Sequence, residues 1–453
     1  MKRRQFVSNT AAATAATVAS FASSGAAGAN DCVRMGLIGC GGRGRFVARH
    51  MQQVAGVQFV AVCDVYEPNR ERAREWAGER CRAFKDFRHL LDQTEIDAVL
   101  IGTPDHWHAI PAVLACQAGK DVYIEKPLAH NIREQQAILR AAREHRRVVQ
   151  VGTQQRSAPH FARAADIVQS GELGKVHLVR VWNYRNMYPQ GIGRQPDSDP
   201  PPGLDWDFYL GPAPVVPFNR NRFLGSFRWF WDYAGGVITD WGTHRFDSMH
   251  QVMGVDTPLS VSAVGGRFGI EDDGEVPDVH QATFEYPGFI VSYECTLLNA
   301  HGVGGRSPDM KYYRANSLTD RPNGLAFYGT NGALLADRWG FEIYPELKPG
   351  ASLAHRARQT VASDVYRMVR ETAFNPDSTY RHCEDFIECL RSRKRPRAHI
   401  AIGHRSSIVA HLGNIAYRTA HKIRWDAERE EIVDDHEASA LLGREHRRPW
   451  NIL

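Results

Sequence analysis

The chain lacks several features that would place it quickly, and each absence excludes something. It has no cysteine pattern. Eight cysteines stand among 453 residues, at 32, 40, 63, 81, 116, 295, 383 and 389. None forms C-x-x-C and none clusters with histidine at zinc spacing, which argues against a structural metal site. Cys40, Cys63 and Cys116 lie in apolar segments and are expected as small core residues. Cys383 and Cys389, six apart on an expected helix, point to different faces and cannot bridge, so no disulfide framework is expected. The chain also lacks the long apolar runs of a multi-span membrane protein. It lacks a charge excess: Lys plus Arg number 56 and Asp plus Glu 51. Three of those bases stand together at Lys2-Arg3-Arg4, so the remainder is close to neutral. This gives no ground for nucleic acid or anionic lipid as the main partner. No internal repeat or coiled coil is visible. What remains is an ordinary enzyme-like composition, 43% hydrophobic and 24% charged, with length for two or three domains.

The N-terminus reads as an address. Lys2-Arg3-Arg4-Gln5-Phe6-Val7 opens the chain, and an Ala-rich stretch to Ala29 follows whose only large apolar residues are Val18 and Phe21. Ala27-Gly28-Ala29 offers an A-x-A cleavage site. Basic head, weakly apolar middle and small-residue end are the parts of an export signal, and the Arg pair before x-Phe-Val resembles a twin-arginine signal. Residues 1–29 are therefore expected as a signal peptide read by the twin-arginine translocase. The mature chain is then periplasmic or otherwise extracytoplasmic. That route carries folded proteins, which suits a chain that acquires a cofactor in the cytoplasm.

Residues 31–155 read as a dinucleotide-binding domain. Val33 to Ile38 is a short apolar run, Gly39-Cys40-Gly41-Gly42-Arg43-Gly44 follows, and a helical pattern begins near Arg45. A second apolar run, Val57 to Val62, ends at Cys63-Asp64. G-x-G-x-x-G alone is weak, but here it joins strand to helix with an acid about 20 residues on. Gly39 permits the tight turn, Gly41 lets the backbone approach a pyrophosphate at the helix N-terminus, and Gly44 allows close packing. Asp64 would accept from ribose hydroxyls and repel a 2′-phosphate, which favours NAD over NADP. Strand-like runs at 97–104, 121–127 and 148–152 alternate with helices at 110–118 and, capped by Asn131, up to His145. This rhythm implies a doubly wound parallel sheet with ligands at the carboxyl ends of its strands.

Two places carry chemistry. Lys126, in Glu125-Lys126-Pro127, ends a buried strand, where it could donate a proton or hydrogen bond to a hydroxyl or carbonyl oxygen; a surface Lys paired with Glu125 is the plainer alternative. Asp240 and His244 are four apart and on a helix share a face. Such a pair can take the proton of an alcohol while hydride leaves its carbon, neutral His being the usual base near pH 7. A helix cap with a satisfied histidine, or a metal pair joined by His106 and His108, are the alternatives. Asp105 reads better as a helix N-cap after Pro104.

Together these motifs resemble the glucose-fructose oxidoreductase, inositol dehydrogenase and rhizopine-catabolism (Gfo/Idh/MocA) family. The residues that carry the resemblance are the glycine loop, Thr103-Pro104-Asp105-His106-Trp107-His108, Glu125-Lys126-Pro127, Gly152-Thr153-Gln154-Gln155-Arg156 and Asp240-Trp241-Gly242-Thr243-His244. The ending, with His404-Arg405-Ser406, Trp425-Asp426 and Arg448-Pro449-Trp450, is similar to a twin-arginine-exported branch. The resemblance implies a Rossmann domain followed by an α+β domain, residues 156–425, with an open-faced, mostly antiparallel sheet. A C-terminal tail, 426–453, then follows. It implies a tightly held NAD(P), a sugar, cyclitol or related polyol as substrate, no metal, and self-association through the open sheet. It assigns Lys126 and His244 to proton transfer and Asp240 to substrate orientation, and implies a cis peptide before Pro127. Gly39, Gly41, Gly42, Arg43, Gly44, Asp64 and Glu125, with Lys126, would bind cofactor. Thr103, Pro104, His106 and Trp107 would line its nicotinamide side, and Gln155 and Arg156 would lie near substrate. His404 and Trp450 could reach the cleft by the same analogy.

In the second half, Pro189 to Pro217 is rich in Pro, Gly and Asp and reads as a surface loop or lid. Phe227-Arg228-Trp229-Phe230-Trp231 and the Arg and Asn residues at 219–222 could stack on and bond a pyranose, or simply pack. Runs at 258–268, 279–286 and 289–298 alternate as sheet strands do, and 380–424 reads as two helices. The leading functional reading is an exported NAD-dependent sugar or polyol oxidoreductase. The same residues could serve a closed hydride cycle, as in NAD-dependent glycosidases or epimerases, although the related glycosidases carry a Tyr/His-based motif. A third reading is a non-catalytic sugar-binding protein, which an intact Lys126, Asp240 and His244 speaks against.

Overall fold

The computed structural model describes residues 32–302, 321–348, 373–374 and 378–451. The expected signal segment lies outside them.

The first domain alternates strand and helix throughout: β1 (Val33–Ile38), α1 (Gly42–Met51), β2 (Val57–Cys63), α2 (Glu67–Ala77), β3 (Arg82–Phe84) and α3 (Phe87–Leu91). Then come β4 (Ala98–Ile101), α4 (Ala109–Gln117), β5 (Asp121–Ile124), α5 (Ile132–Glu144) and β6 (Val149–Val151). The six strands are parallel, in the order β3-β2-β1-β4-β5-β6. The order reverses at β1, and ligands bind outside the carboxyl ends of the strands at such a point. Local chemistry explains the helix starts: Asn131 accepts from Glu134 N at the head of α5, the side-chain cap that satisfies an orphan amide.

The second domain comprises α6 (Pro159–Gln169), β7 (Val176–Asn186), α7 (Trp206–Leu210), α8 (Thr243–Met253), β8 (Ser260–Gly266), β9 (Val279–Tyr286) and β10 (Phe289–Thr296). It continues with β11 (Leu298–Asn299), β12 (Asn323–Gly329), β13 (Gly332–Ala336), β14 (Gly340–Pro345) and β15 (Ala373–Phe374). Last come α9 (Thr379–Ser392), α10 (Ile400–Thr419), β16 (Ile423–Asp426), β17 (Glu431–Ile432) and α11 (His436–Ala440). The sheet runs β15-β14-β13-β12-β7-β10-β9-β8-β16-β17, with β11 beside β7, and is antiparallel except for β7 with β10. The expected alternation holds: β9 and β10 bury every second residue. The inner face packs Phe284 and Val291 against Phe246 and Met249 of α8 and Ile408 and Leu412 of α10. The outer face is exposed at β8 and β10, where Val264 and Ile290 reach solvent, and Arg180 pairs there with Glu294 at 2.9 Å; at β7, β12 and β13 it is covered, with Trp182, Ala326 and Leu335 buried together.

The stretch 189–217 is exposed over most of 194–203, as a surface loop is, but it is tied down beyond that. Its Leu204 and Trp206 pack with Val65 and Tyr66, which follow β2, and Asp205 pairs with Lys85. Apolar burial against the first domain anchors it. In space, α9 is not part of the second domain. Its Cys383, Phe386 and Leu390 pack with Met35, Leu37 and Tyr123 of the parallel sheet. All eight cysteines are free thiols, seven of them buried.

A candidate dinucleotide and substrate cavity

One large cavity, about 1330 Å³, runs from the glycine loop to β7 and the turn before α8. A single-ligand pocket spans roughly 300–1,000 Å³, so this one has room for two molecules side by side.

At the first-domain end, Gly39 turns the chain at φ +87°, and a Cβ there would stand 2.6 Å from Gly102 C. A Cβ on Gly44 would stand 2.1 Å from Gly39 O, so α1 packs tightly under the loop. Gly41 and Gly42 face open space on the cavity wall, a cradle that side chains would fill. Asp64 follows β2 and accepts from Cys40 N at 2.7 Å and Tyr66 N at 2.8 Å. Burial nevertheless raises its pKa to about 6. Arg43 is bound through its Nε to Glu125 Oε1 at 2.9 Å. Glu125 is thereby committed to Arg43 and Gln154, not to Lys126.

Lys126 follows β5, with a cis peptide before Pro127. Its Nζ donates to the Asp240 carbonyl at 2.8 Å and to the Asp240 carboxylate. The other Asp240 oxygen meets Arg228 Nε at 3.1 Å. Burial opposes charge on Asp240, but Lys126 and Arg228 outweigh it and hold the carboxyl well below the usual range. His244 is pushed well below its ordinary pKa, by burial first and then by the Lys126 charge. It is therefore neutral near pH 7, and its Nδ1 is buried without a partner.

Asp240 and His244 both line the cavity, as their four-residue spacing suggests, across the π-helical turn Ile238–Gly242 and the start of α8. The Asp240 carboxylate is nevertheless bound to the two cations and not to the histidine. Nor do His106 and His108 join them around a metal. His106 Nε2 donates to Tyr209 O at 3.0 Å, and His108 lies between the Pro127 and Thr103 carbonyls. Among the described residues no group of three His, Cys, Asp or Glu is placed to hold an ion.

Thr103, Pro104 and Trp107 stand on the wall. His106 is set behind it, 1% exposed and packed on Tyr233. Gln155 and Arg156 lie away from the cavity. Gln155 Oε1 accepts from Arg245 at 3.3 Å and Ser248 at 3.1 Å, and Arg156 Nε meets both Asp247 oxygens at 3.1 Å. The turn after β6 points them into the α8 core. His404 is likewise interior, between Gln135 and Glu430.

One cavity residue was misread in the sequence. Asp105 is not a helix cap: it opens the 3₁₀ turn Asp105–Trp107, is 7% exposed, and lines the cavity. Burial raises its pKa to about 7 against the pull of Lys126 and Arg228. Its place inside the Thr103–His108 motif was the available signal. Arg228, offered by the sequence as a group that could bond a pyranose, does line the cavity, where it binds Asp240.

The wall also holds buried polar atoms without protein partners: Thr103 Oγ1, Glu125 Oε2 and His244 Nδ1. Unsatisfied buried groups are rare in folded proteins. Three along one cavity, beside an open glycine cradle and a buried Asp at the β2 terminus, fit a dinucleotide and a hydroxylated partner.

Comparison with known proteins agrees with this geometry. Residues 33–153 match the family model "Oxidoreductase family, NAD-binding Rossmann fold", and residues 163–278 and 355–452 match "Oxidoreductase family, C-terminal alpha/beta domain". Among curated relatives, the chain is 24% identical over 250 residues to a myo-inositol 2-dehydrogenase of Thermotoga maritima, covering 55% of this chain and 63% of that one. It is 31% identical over 244 residues to a levoglucosan dehydrogenase of Pseudarthrobacter phenanthrenivorans, covering 50% and 57%. Among solved structures, the WlbA dehydrogenase from Bordetella pertussis, in complex with NADH and UDP-GlcNAcA, superposes with a TM-score of 0.63 at 18% identity. That match covers 87% of this chain and 99% of the other. The chain belongs to the Gfo/Idh/MocA oxidoreductase family, with that family's NAD-binding Rossmann domain and C-terminal α/β domain.

Proposed function

We propose that this protein oxidises a secondary hydroxyl of a sugar, cyclitol or related polyol with NAD, and that it does so after export by the twin-arginine route. The observation that carries the reading is convergence: Lys126, Asp240 and His244 share one cavity with Gly41, Gly42 and Asp64. NAD, when bound, supplies the hydride acceptor. The chain supplies the rest. Neutral His244 accepts the hydroxyl proton. Lys126, held by Asp240, donates a hydrogen bond to the oxygen as its C=O bond forms. Asp240 keeps Lys126 aimed and, with Arg228, orients the neighbouring hydroxyls. The inositol and levoglucosan relatives support the substrate class. Lys2-Arg3-Arg4 and Ala27-Gly28-Ala29 support export. The exposed Val264 and Ile290 support self-association through the open sheet.

The first experiment is to purify the mature protein without added cofactor, denature it, and identify released nucleotide by mass spectrometry. About one NAD per chain is expected. An empty protein that takes up added NAD keeps the reading with a freely exchanging cofactor. An empty protein that binds neither NAD nor NADP overturns it.

Asp64 predicts the coenzyme and its pH dependence. Its carboxylate accepts ribose hydroxyls and repels a 2′-phosphate. Because burial raises its pKa to about 6, it is ionised above that pH and neutral below. NAD affinity should therefore fall between about pH 7 and about pH 5, as an acceptor is lost. Affinity for NADP should fall less, since a repelling charge is lost with it. Titrating both coenzymes by NADH and NADPH fluorescence checks this, and Asp64→Asn should flatten the difference.

A further inference from the structure

The C-terminal segment does not trail away from the molecule. His446 Nε2 meets Glu134 Oε1 at 2.8 Å, and Arg444 donates to Asp232 O at 2.6 Å. Arg447 grips the end of α7: its Nε donates to Gly211 O at 2.9 Å and its Nη2 to Asp207 O at 2.8 Å. Trp450 then inserts between α7 and the first domain. It is 7% exposed, stacked on Phe208 at 5.2 Å and 19°. It is edge-on to Trp107 at 4.8 Å and 78°, and Arg88 lies 5.2 Å from its ring centroid.

Trp450 itself is not on the cavity wall, but the rings it touches are. Phe87, Trp107 and Phe208 all line the cavity, and Phe87 contacts the other two at 5.7 and 6.3 Å. Trp107 is fixed on two further sides. Its Nε1 donates to Tyr209 O at 2.8 Å, and a Cβ at Gly211 would stand 2.1 Å from its ring. Trp450 closes the remaining side. The rear of the cofactor wall is thus built from residues at the far end of the chain.

We propose that the C-terminal segment is the outer support of this wall, and that Trp450 is a positioning residue that sets affinity for the dinucleotide by holding Trp107 and Phe208. The inference rests on the cofactor reading above and adds a device to it. Lys126, Asp240 and His244 lie on other elements, so Trp450 should leave proton transfer untouched. Without Trp450 behind them, Trp107 and Phe208 gain freedom that cofactor binding must then remove, which should weaken binding roughly tenfold.

The test compares NAD binding by calorimetry with steady-state kinetics in the full chain and in W450A, W450F and R447Q. W450A should raise the Kd for NAD about tenfold, with kcat at saturating NAD within about twofold. W450F, which keeps a ring behind Trp107, should recover most of the affinity. R447Q, which frees the segment from α7, should move Kd in the same direction as W450A. A purely structural role would instead lower kcat and folded fraction together and leave the Kd of the folded fraction alone. Should W450A fail to fold, W450F and R447Q carry the decision: an R447Q protein with unchanged Kd overturns the proposal. If the unaltered chain binds NAD and W450A binds it equally, only this inference falls. If the unaltered chain binds neither NAD nor NADP, the functional reading falls first and takes this one with it.

Discussion

Replacing Lys126 with Met should lower kcat by about 10²–10⁴-fold, the usual loss when a positioned proton-transfer group is removed, while NAD still binds. The side chain is 11% exposed and its ammonium is held by Asp240. Met keeps most of the stem and removes the donor. The glycine cradle and Asp64 are untouched, so the Kd for NAD should stay within about threefold. Asp240 keeps its contact with Arg228, so its carboxylate is not left without a cation and the fold should persist. Turnover of an accepted polyol, followed by NADH absorbance beside a calorimetric titration with NAD, separates the two effects. A variant with near-normal kcat would remove Lys126 from the mechanism.

Replacing Arg156 with Ala should do the reverse, costing stability and leaving substrate affinity alone. Arg156 is 12% exposed on its side chain and Asp247 is wholly buried. Three hydrogen bonds join them, and Ser406 Oγ adds a fourth to Asp247 at 3.0 Å. Breaking a buried ion pair from one side leaves an uncompensated charge, at a cost of about 3–5 kcal/mol. Denaturant unfolding should show the midpoint shift, and KM for substrate in the folded fraction should be unchanged. A raised KM with normal stability would return Arg156 to the substrate site.

The contrast between these two residues shows where sequence reasoning held and where it stopped. Both sit in motifs, and both follow a buried strand of the parallel sheet, β5 or β6. Lys126 was readable because the carboxyl end of a strand in such a sheet is a binding edge by construction. Arg156 obeys the same rule in sequence, but the 3₁₀ turn Gln154–Ser157 carries it under α8. The four-residue spacing put Asp240 and His244 on one cavity wall, but it could not show that the Asp240 carboxylate is bound by Lys126 and Arg228, which lie on other elements. His106 alternates with cavity residues along one motif, and only packing on Tyr209 and Tyr233 decides that it faces inward.

By itself the sequence determined the parallel Rossmann sheet, the glycine turn, the acid after β2, the alternating strands of the second sheet and the two helices near its end. Each is a local pattern, set by φ preference, side-chain period or capping chemistry between near neighbours. Only the tertiary structure decided that Asp240 meets Lys126 and Arg228, that Asp105 is a cavity acid, that α9 covers the first domain, and that Trp450 stands behind Trp107. These contacts join residues far apart in the chain. Their energies come from burial and charge pairing that no local window contains, so they exist only once both domains have packed.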